Sequence, residues 1–189
     1  MNLPHLSEYR VLVVPGLHGS EEAHWQTRWE KMYPVFERVQ QDDWARPELP
    51  RWSQRLTQVL EESDQPTLIV AHSFGCLTTM HAASRSRSNL VGTLLVAPAD
   101  PEKFAVADAL RDARLPCPSI VIGSSNDPWM ASHRAAYWAD RWGCGFLNAG
   151  ALGHINAESG LGDWEQGLQQ FRYLLDMAHA FVPDSNYFA

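Results

Sequence analysis

The sequence predicts an α/β fold, with a parallel sheet covered by helices on both faces. Short β-branched segments alternate along the chain with longer amphipathic segments, and this alternation is typical of βαβ units. The length of 189 residues fits one domain, and 45% hydrophobic with 20% charged residues is a globular composition. We therefore expect a single domain over 1–189, with its core over about 10–181 and about six parallel strands in the order 2-1-3-4-5-6.

Each strand is predicted from a short run of β-branched or apolar residues. These runs are 10–14, 36–39, 67–70, 91–97, 119–122 and 145–148. Helices are predicted where apolar residues recur every three or four positions, as Trp25 and Trp29 do in the first of them. The helical ranges are 21–32, 51–62, 73–84, 131–142 and 163–181, and a shorter helix fits 105–114.

The closing helix has the clearest apolar stripe. Its members recur at helical spacing and are Trp164, Leu168, Phe171, Leu175 and Ala178. Asp163 and Gln166 have the spacing of a capping pair, which predicts that the helix begins at Asp163. The tail after Pro183 is predicted to be loosely held.

Composition excludes several classes of partner. The chain carries 22 acidic and 15 basic residues, a formal net charge of -7, so the phosphate backbone of a nucleic acid is a poor partner. No apolar run approaches the ~20 residues that a membrane-spanning helix needs. Residues 1–10 also lack the apolar segment of a signal peptide. We expect a cytoplasmic protein that binds neither nucleic acid nor membrane, and the sequence names no protein partner.

Cysteine and histidine spacing gives no sign of a disulfide framework or a metal site. Cys76, Cys117 and Cys144 are an odd number and form no Cys-x-x-Cys pair, so we expect small buried thiols. The eight histidines include no His-x-x-x-His pair. The sequence therefore predicts neither a metal nor a cofactor.

The strongest local signal is the segment Leu68-Ile69-Val70-Ala71-His72-Ser73-Phe74-Gly75. A buried strand runs into a serine with small residues two positions before and two after, and a helix follows at once. This is the nucleophile-elbow pattern, with Ala71 at the first glycine position. The tight turn exposes the serine hydroxyl, so larger flanking side chains would collide. A plain strand-to-helix turn that contains a serine by chance would show the same pattern. Other motifs are therefore needed to decide whether Ser73 is a nucleophile.

A glycine-rich loop after the first strand is the second signal. It reads Val14-Pro15-Gly16-Leu17-His18-Gly19-Ser20 and precedes a predicted helix. The backbone N–H groups of Leu17 and Phe74 are the expected donors to an oxyanion, because both come from turns next to the serine. The Gly-x-x-Gly spacing does not match the Gly-x-Gly-x-x-Gly of a dinucleotide-binding loop.

An acid and a histidine follow later strands in the order that a Ser-Asp-His triad requires. Asp127 lies in the loop after the strand predicted at 119–122, and His154 lies in the loop after the last strand. In this arrangement Ser73 attacks, His154 accepts its proton, and Asp127 fixes the imidazole tautomer.

Other residues fit these roles less well. Asp100 follows the strand predicted at 91–97 and is the rival acid. His72 adjoins Ser73 and cannot be the base, because neighbouring side chains diverge at a sharp elbow. His81 lies two turns down the helix, and neither His18 nor His24 follows a late strand, although both border the expected site.

These motifs resemble the small α/β-hydrolases of the serine hydrolase family that includes a retinoblastoma-binding protein and bacterial YdeN-like proteins. The resemblance covers about 10–180 and is carried by Pro15-Gly16, His24-Trp25, Trp29-Glu30, Asp43-Trp44, Pro47, Trp52, Ala71-His72-Ser73-x-Gly75, Ser125-x-Asp127-Pro128 and Gly153-His154-Ile155-Asn156. It implies a compact α/β-hydrolase fold without a large cap, and a triad of Ser73, Asp127 and His154. The chain departs from the family pattern at Ala71. It also lacks the Leu-x-Cys-x-Glu motif of the animal relative, so binding to a tumour suppressor is not expected.

Four residues near these motifs are candidates for substrate binding: His18, His24, Trp25 and Trp129. The tryptophans of the first two helices and the loop between them either line a pocket or pack the helices onto the sheet. Aromatic residues on amphipathic faces favour the core. Trp129 follows the predicted acid by two positions and fits either the rim of the site or the interior.

The sequence as a whole predicts a serine hydrolase that cleaves an ester-like bond of a small substrate through an acyl-enzyme on Ser73. A non-catalytic binding protein on the same scaffold is one alternative, and an acyltransferase with the same triad is another. The interval 98–118 is short and contains four prolines and several acidic residues. We therefore expect an open site that favours short acyl chains.

Overall fold

A six-stranded parallel sheet forms the centre of the protein. The computed structural model describes residues 3–85 and 89–181, so the tail after Pro183 lies outside the described residues. The strand order is β2-β1-β3-β4-β5-β6 and every neighbouring pair is parallel, which confirms the predicted topology. The strands are β1 (Arg10–Val14), β2 (Phe36–Arg38), β3 (Thr67–His72), β4 (Leu90–Val96), β5 (Ser119–Gly123) and β6 (Gly145–Asn148).

Helices cover both faces of the sheet. They are α1 (Trp25–Met32), α2 (Leu49–Glu61), α3 (Phe74–Ala83), α4 (Ala107–Leu110), α5 (Ser132–Trp142) and α6 (Glu165–Phe181). Successive side chains of β1 alternate between two hydrophobic layers, as the two-residue period of a strand requires. Val11 and Val13 pack with α1 and α6, whereas Leu12 and Val14 pack with α2, α3 and α5.

The tryptophans of the first two helices belong to these layers. Trp25 and Trp29 are buried between α1 and α6, and Trp52 is buried on the opposite face of the sheet. Trp44 is half-buried, with its ring centroid 5.5 Å from that of Trp52. These tryptophans therefore pack the helices onto the sheet, as their spacing favoured, and do not line a pocket.

Two helix boundaries differ from the prediction because of local chemistry. The first helix begins at Trp25 rather than at position 21, because the Nδ1 atom of His24 accepts a hydrogen bond from Gln26 N–H at 3.2 Å and caps the helix. The second helix begins early, at Leu49, with Pro50 in its first turn. Proline is tolerated there because the first N–H groups of a helix have no intrahelical partner.

The predicted capping pair of the closing helix is wrong. The helix α6 begins at Glu165, and the Asp163 carboxylate instead accepts a hydrogen bond from Arg28 Nε at 2.7 Å. The backbone carbonyl of Asp163 accepts a second bond from Trp29 Nε1 at 2.7 Å. Asp163 therefore ties α6 to α1, while the predicted apolar stripe of α6 is buried.

The carboxyl edge of the sheet carries only short connections. The interval 98–118, between β4 and β5, contains the four-residue helix α4, shorter than the predicted helix over 105–114. No large cap is formed by the residues that the structure describes. In the same part of the chain, no helix combines the length and the apolar character needed to cross a membrane.

Candidate active site

Ser73 occupies a sharp turn between β3 and α3. Its φ of 53° lies in the left-handed region, which is uncommon for a residue other than glycine and is typical of functional turns. The turn is possible because two glycines touch it. A Cβ atom on Gly75 would lie 2.1 Å from the carbonyl oxygen of Val14, and one on Gly16 would lie 2.7 Å from Ser73 Cβ. The start of α3 therefore rests directly on the end of β1.

The two predicted oxyanion donors lie on segments that this packing brings together. A Cβ atom on Gly16 would be 3.1 Å from the backbone nitrogen of Phe74, so the loop that carries Leu17 runs beside the first turn of α3. The loop is held from outside by Trp44, whose carbonyl accepts a hydrogen bond from His18 N–H at 3.0 Å. The loop and the elbow are thus fixed relative to each other.

Ser73, His154 and Asp127 form one chain of hydrogen bonds. The Nε2 atom of His154 lies 3.0 Å from Ser73 Oγ, and its Nδ1 atom lies 2.8 Å from Asp127 Oδ2. Because a carboxylate only accepts, Nδ1 carries the proton and Nε2 is free to accept one from the serine hydroxyl. The Asp127 side chain is only 2% exposed and also accepts a bond from Trp129 N–H at 2.9 Å.

The loop of Asp127 and the loop of His154 are joined by two further side chains. Asn126 Oδ1 accepts a hydrogen bond from Gly153 N–H at 2.7 Å, and Ser124 Oγ accepts one from Leu152 N–H at 3.0 Å. Sequence reasoning missed both residues. The sequence feature that could have indicated them is the Ser-Ser-Asn run directly after β5, because the side-chain oxygens of serine and asparagine commonly bond to nearby backbone N–H groups.

A cavity of about 520 Å³ opens above Ser73 and His154. Its walls are formed by Leu17, His18, Ser20, Glu21, His24, His72, Ala99, Asp100, Lys103, Phe104, Trp129, Asn156, Ala157 and Glu158. The cavity lies at the carboxyl edge of the sheet, where ligands bind in open α/β folds. Of the four predicted substrate-binding residues, His18, His24 and Trp129 line it. Trp129 is 60% exposed and stands at the rim.

Comparison with known proteins identifies the family of the chain. A family model described as serine hydrolase matches residues 11–173. The chain belongs to the serine hydrolase family. Among curated proteins, no sequence matches it.

Solved structures of other hydrolases resemble this serine hydrolase. A YdeN-like hydrolase from Pectobacterium atrosepticum is 35% identical, with a TM-score of 0.87 over 91% of this chain and 93% of that chain. A hydrolase of the alpha/beta superfamily from Xanthomonas campestris is 16% identical, with a TM-score of 0.67 over 89% and 98%. Est1E from Butyrivibrio proteoclasticus, solved with ferulic acid bound, is 13% identical, with a TM-score of 0.64 over 89% of each chain. The last two show a shared α/β-hydrolase fold.

One cavity wall of this serine hydrolase was not predicted as part of the site. It comprises residues 99–104, which follow β4. The Lys103 ammonium donates to the carbonyl of Trp129 at 2.6 Å, and the Phe104 ring packs against Phe74 with centroids 5.0 Å apart. The sequence could have indicated this wall only by its position, because the segment follows the carboxyl end of a central strand, where ligands bind in open α/β folds.

Asp100 anchors that wall and has a partner other than the histidine. Arg134 binds its carboxylate with two hydrogen bonds of 2.7 and 2.8 Å. Burial raises the pKa of this carboxyl, but the hydrogen bonds with Arg134 and Glu102 outweigh burial and lower the pKa to about 2. Asp127, and not Asp100, is the acid that contacts His154.

The expectation that Trp25 contacts substrate is wrong. Its side chain is 1% exposed and lies in the core rather than in the cavity wall. The indole Nε1 donates a hydrogen bond to the carbonyl of Ile155 at 2.8 Å. Helical spacing correctly placed Trp25 on the buried face of α1, but it could not show whether that position lies in the core or in the wall of the cavity at the carboxyl edge of the sheet.

Two buried histidines next to His154 are neutral. Burial lowers the pKa of His24 to about 3, with the charge of Arg38 as a second cause. Burial likewise holds the pKa of His72 well below its ordinary value. The Nε2 atom of His72 lies 2.9 Å from the carbonyl oxygen of His154. Since a carbonyl only accepts, this nitrogen carries a proton and is engaged as a donor, which agrees with excluding His72 as the base.

Proposed function

We propose that the protein is a carboxylesterase-type hydrolase that forms an acyl-enzyme on Ser73. The observation that carries the proposal is the unbroken chain of hydrogen bonds from Ser73 through His154 to Asp127 at the floor of a cavity. An isolated serine is a weak nucleophile at neutral pH, and an adjacent oriented base is what activates it.

In the proposed acylation step, Ser73 Oγ attacks the carbonyl carbon of the ester while His154 Nε2 accepts the hydroxyl proton. Asp127 stabilises the resulting imidazolium through its bond to Nδ1. The N–H groups of Leu17 and Phe74 donate hydrogen bonds to the carbonyl oxygen and stabilise the negative charge that develops on it. His154 then returns the proton to the leaving alkoxide, and the acyl group stays on Ser73.

Deacylation repeats these steps with water as the nucleophile. His154 removes a proton from the water, the tetrahedral intermediate collapses, and Ser73 leaves with the proton from the imidazolium. Every group in this cycle is a side chain, a backbone N–H or water, so the proposal needs neither a metal nor a cofactor.

The cavity supports a small substrate with a short acyl chain. Its volume of about 520 Å³ lies in the range of sites for small molecules. Its walls combine apolar residues such as Leu17 and Phe104 with charged residues, and the exposed charges of Glu21, Lys103 and Glu158 favour a small substrate over a long alkyl chain. With no large cap in the described chain, we infer a site that needs no lipid surface to open it.

The state of the cysteines supports a cytoplasmic enzyme. All three thiols are free, as in a reducing compartment. Burial raises the pKa of Cys117 to about 11 and that of Cys144 to about 12, so both are protonated and unreactive. The net charge of -7 also argues against a nucleic acid substrate.

The experiment is a substrate screen on the wild type beside Ser73→Ala. We expect p-nitrophenyl acetate and butyrate to be hydrolysed faster than the decanoate, with no rise in rate as the longer esters form micelles, and no turnover by Ser73→Ala. Thioester and amide analogues in the same screen define the bond preference. Turnover that persists in Ser73→Ala contradicts the proposed nucleophile, and best turnover on long chains contradicts the proposed substrate size.

A further inference from the structure

We infer that Trp25 and His72 act as a pair of positioning donors that hold the loop of His154 in its working conformation. This inference builds on the proposed function, because it concerns how the base of that reaction is aligned. Trp25 lies at the start of α1 and His72 at the end of β3, so two separate elements converge on one loop. We call this pair the ring clamp.

The clamp acts on two consecutive carbonyl groups. His72 Nε2 donates to the carbonyl of His154 at 2.9 Å, and Trp25 Nε1 donates to the carbonyl of Ile155 at 2.8 Å. Both rings are buried, and their centroids lie 6.2 Å apart. The bond from Trp25 is fully buried, so the Ile155 carbonyl would be left unsatisfied if it lost this donor. The bond from His72 is partly buried, because His72 also lines the cavity.

The loop needs such a restraint because its backbone is strained next to the base. Ile155 has a φ of 48°, although a β-branched side chain strongly disfavours the left-handed region. Gly153, on the other side of His154, has a φ of 60°. A strained conformation persists only when its surroundings determine it. Release of the Ile155 carbonyl would let this residue relax toward negative φ and turn the preceding imidazole.

The opposite side of the loop is held independently. Asn126 and Ser124 accept hydrogen bonds from Gly153 N–H and Leu152 N–H, upstream of His154. The ring clamp restrains the backbone carbonyls at and after His154, beside the hydrogen bond from Asn156 N–H to Ser159 Oγ and the burial of the Ile155 side chain. Upstream acceptors and downstream donors together bracket the residue whose ring must reach Ser73 Oγ and Asp127 simultaneously.

Both donors are rigid and keep their protons at working pH. The Trp25 ring packs against Trp29 and Trp164, with centroids 4.7 and 5.0 Å away. His72 is neutral because its burial disfavours the imidazolium, so the proton on Nε2 remains committed to the carbonyl. The titratable neighbours that affect His72 are His24 and His154.

The decisive variant is Trp25→Phe, which keeps an aromatic ring and removes the donor. We expect kcat to fall by about 10- to 100-fold, since misplacement of a reacting group by about 1 Å has a cost of this size, with KM within about twofold. The matched control is Trp142→Phe. It removes an equally buried indole N–H that donates to the Leu110 carbonyl at 3.2 Å, in the hydrophobic layer on the other face of the sheet, and should leave kcat unchanged.

A second pair of variants tests the other donor. His72→Gln retains an N–H group that can reach the position of Nε2, whereas His72→Leu removes it. We expect His72→Gln to keep most of kcat and His72→Leu to lose it. The downfield proton signal of His154 Nδ1 bound to Asp127 should broaden or shift in Trp25→Phe and His72→Leu, but not in Trp142→Phe. A merely structural role would weaken all these variants alike without this selectivity.

The outcomes separate this inference from the proposed function. If the wild type turns over esters and Trp25→Phe matches Trp142→Phe in kcat and in the imidazole signal, the ring clamp is refuted and the hydrolase proposal stands. If the wild type shows no activity, the proposed function fails, and the imidazole signal alone still decides whether the clamp aligns His154.

Discussion

Two aspartates beside the site differ in their partners, and this difference sets their roles. Asp127 accepts from the imidazole of His154, and Asp100 accepts from the guanidinium of Arg134. A carboxylate on Nδ1 selects the tautomer that leaves Nε2 free, while a carboxylate on arginine fixes a wall. The same residue type thus contacts the proposed base in one place and fixes the cavity wall in the other.

The corresponding prediction compares Asp127→Asn with Asp100→Asn. Asp127→Asn should reduce kcat by about 10³- to 10⁴-fold while the protein stays folded, because an amide no longer selects the working tautomer. Asp100→Asn should keep kcat within about tenfold and should instead lower the free energy of unfolding, since it removes the buried carboxylate that pairs with Arg134 and leaves only the exposed Glu102 as its partner. Steady-state kinetics and urea unfolding of both variants make the comparison, and the reverse order of kcat values would transfer the acid role to Asp100.

Sequence reasoning placed Ser73, Asp127 and His154 because each has a positional signal. Each lies at or just after the carboxyl end of a predicted strand, and the structure brings all three into hydrogen-bond contact. Trp25 was misassigned for a physical reason. Helical periodicity identifies the buried face of a helix, but the carbonyl that the indole reaches lies 130 residues away in the chain.

At the scale of elements, the site depends on how closely α3 approaches β1. Gly75 permits that approach, because any side chain there would meet the carbonyl oxygens of Val14 and Pro15 at 2.1 and 2.6 Å. Backbone oxygens cannot move aside as a flexible side chain would. The first turn of α3, which carries the Phe74 N–H and follows Ser73 directly, is placed by this contact.

Gly75→Ala should therefore separate the helix from the strand. We expect it to lower the free energy of unfolding by about 2 kcal/mol or more and to reduce ester turnover by more than tenfold, because overpacking shifts the elbow. Gly145→Ala is the control, since its Cβ atom would lie 3.7 Å from the nearest atom, Ser119 O. Equal stability and activity of the two variants, measured by urea unfolding and initial rates, would be incompatible with this account.

Element types were predictable from hydrophobic period, whereas their ends were set by contacts that the period does not encode. Trp25, not residue 21, begins α1 because the side chain of His24 caps it. Asp163 looked like a cap by spacing, but an arginine from α1 competes for its carboxylate. In both cases a side-chain hydrogen bond decided the boundary.

At the scale of the whole molecule, buried neutral histidines link stability to pH. The pKa of His24 is about 3 and that of His72 is well below its ordinary value, in each case chiefly through burial. In the unfolded chain both return to about 6.5. Between these values the unfolded state binds protons that the native state does not bind. Stability is therefore fully present above about pH 6.5 and is lost as the pH falls toward 3.

The expected slope is about 1.4 kcal/mol per pH unit for each histidine well below pH 6.5, so two histidines approach about 2.8 kcal/mol per pH unit. Urea unfolding at pH 7.5, 6 and 5 measures this change of the unfolding free energy with pH. His24→Gln should reduce the slope by about half, whatever its effect on stability at pH 7.5. A wild-type unfolding free energy that stays constant from pH 7.5 to pH 5 would contradict the neutral burial of these rings.

The strand order was predictable as a whole because alternating strands and helices, together with motifs that resemble one family, limit the topology to very few arrangements. The shape of the cavity was not predictable. Its wall over 99–104 is fixed by the ion pair of Asp100 with Arg134, residues 34 positions apart on different elements. Such pairing depends on the folded geometry and leaves no local pattern in the chain.

The central claim, that His154 activates Ser73 as a nucleophile, is tested most directly by fluorophosphonate labelling followed by peptide mapping. An activated serine attacks such phosphorus centres, so the wild type should gain one label, on the peptide that contains Ser73. Ser73→Ala should gain none, and His154→Ala should react far more slowly. Labelling at full rate in Ser73→Ala, or on any other peptide, would contradict the account.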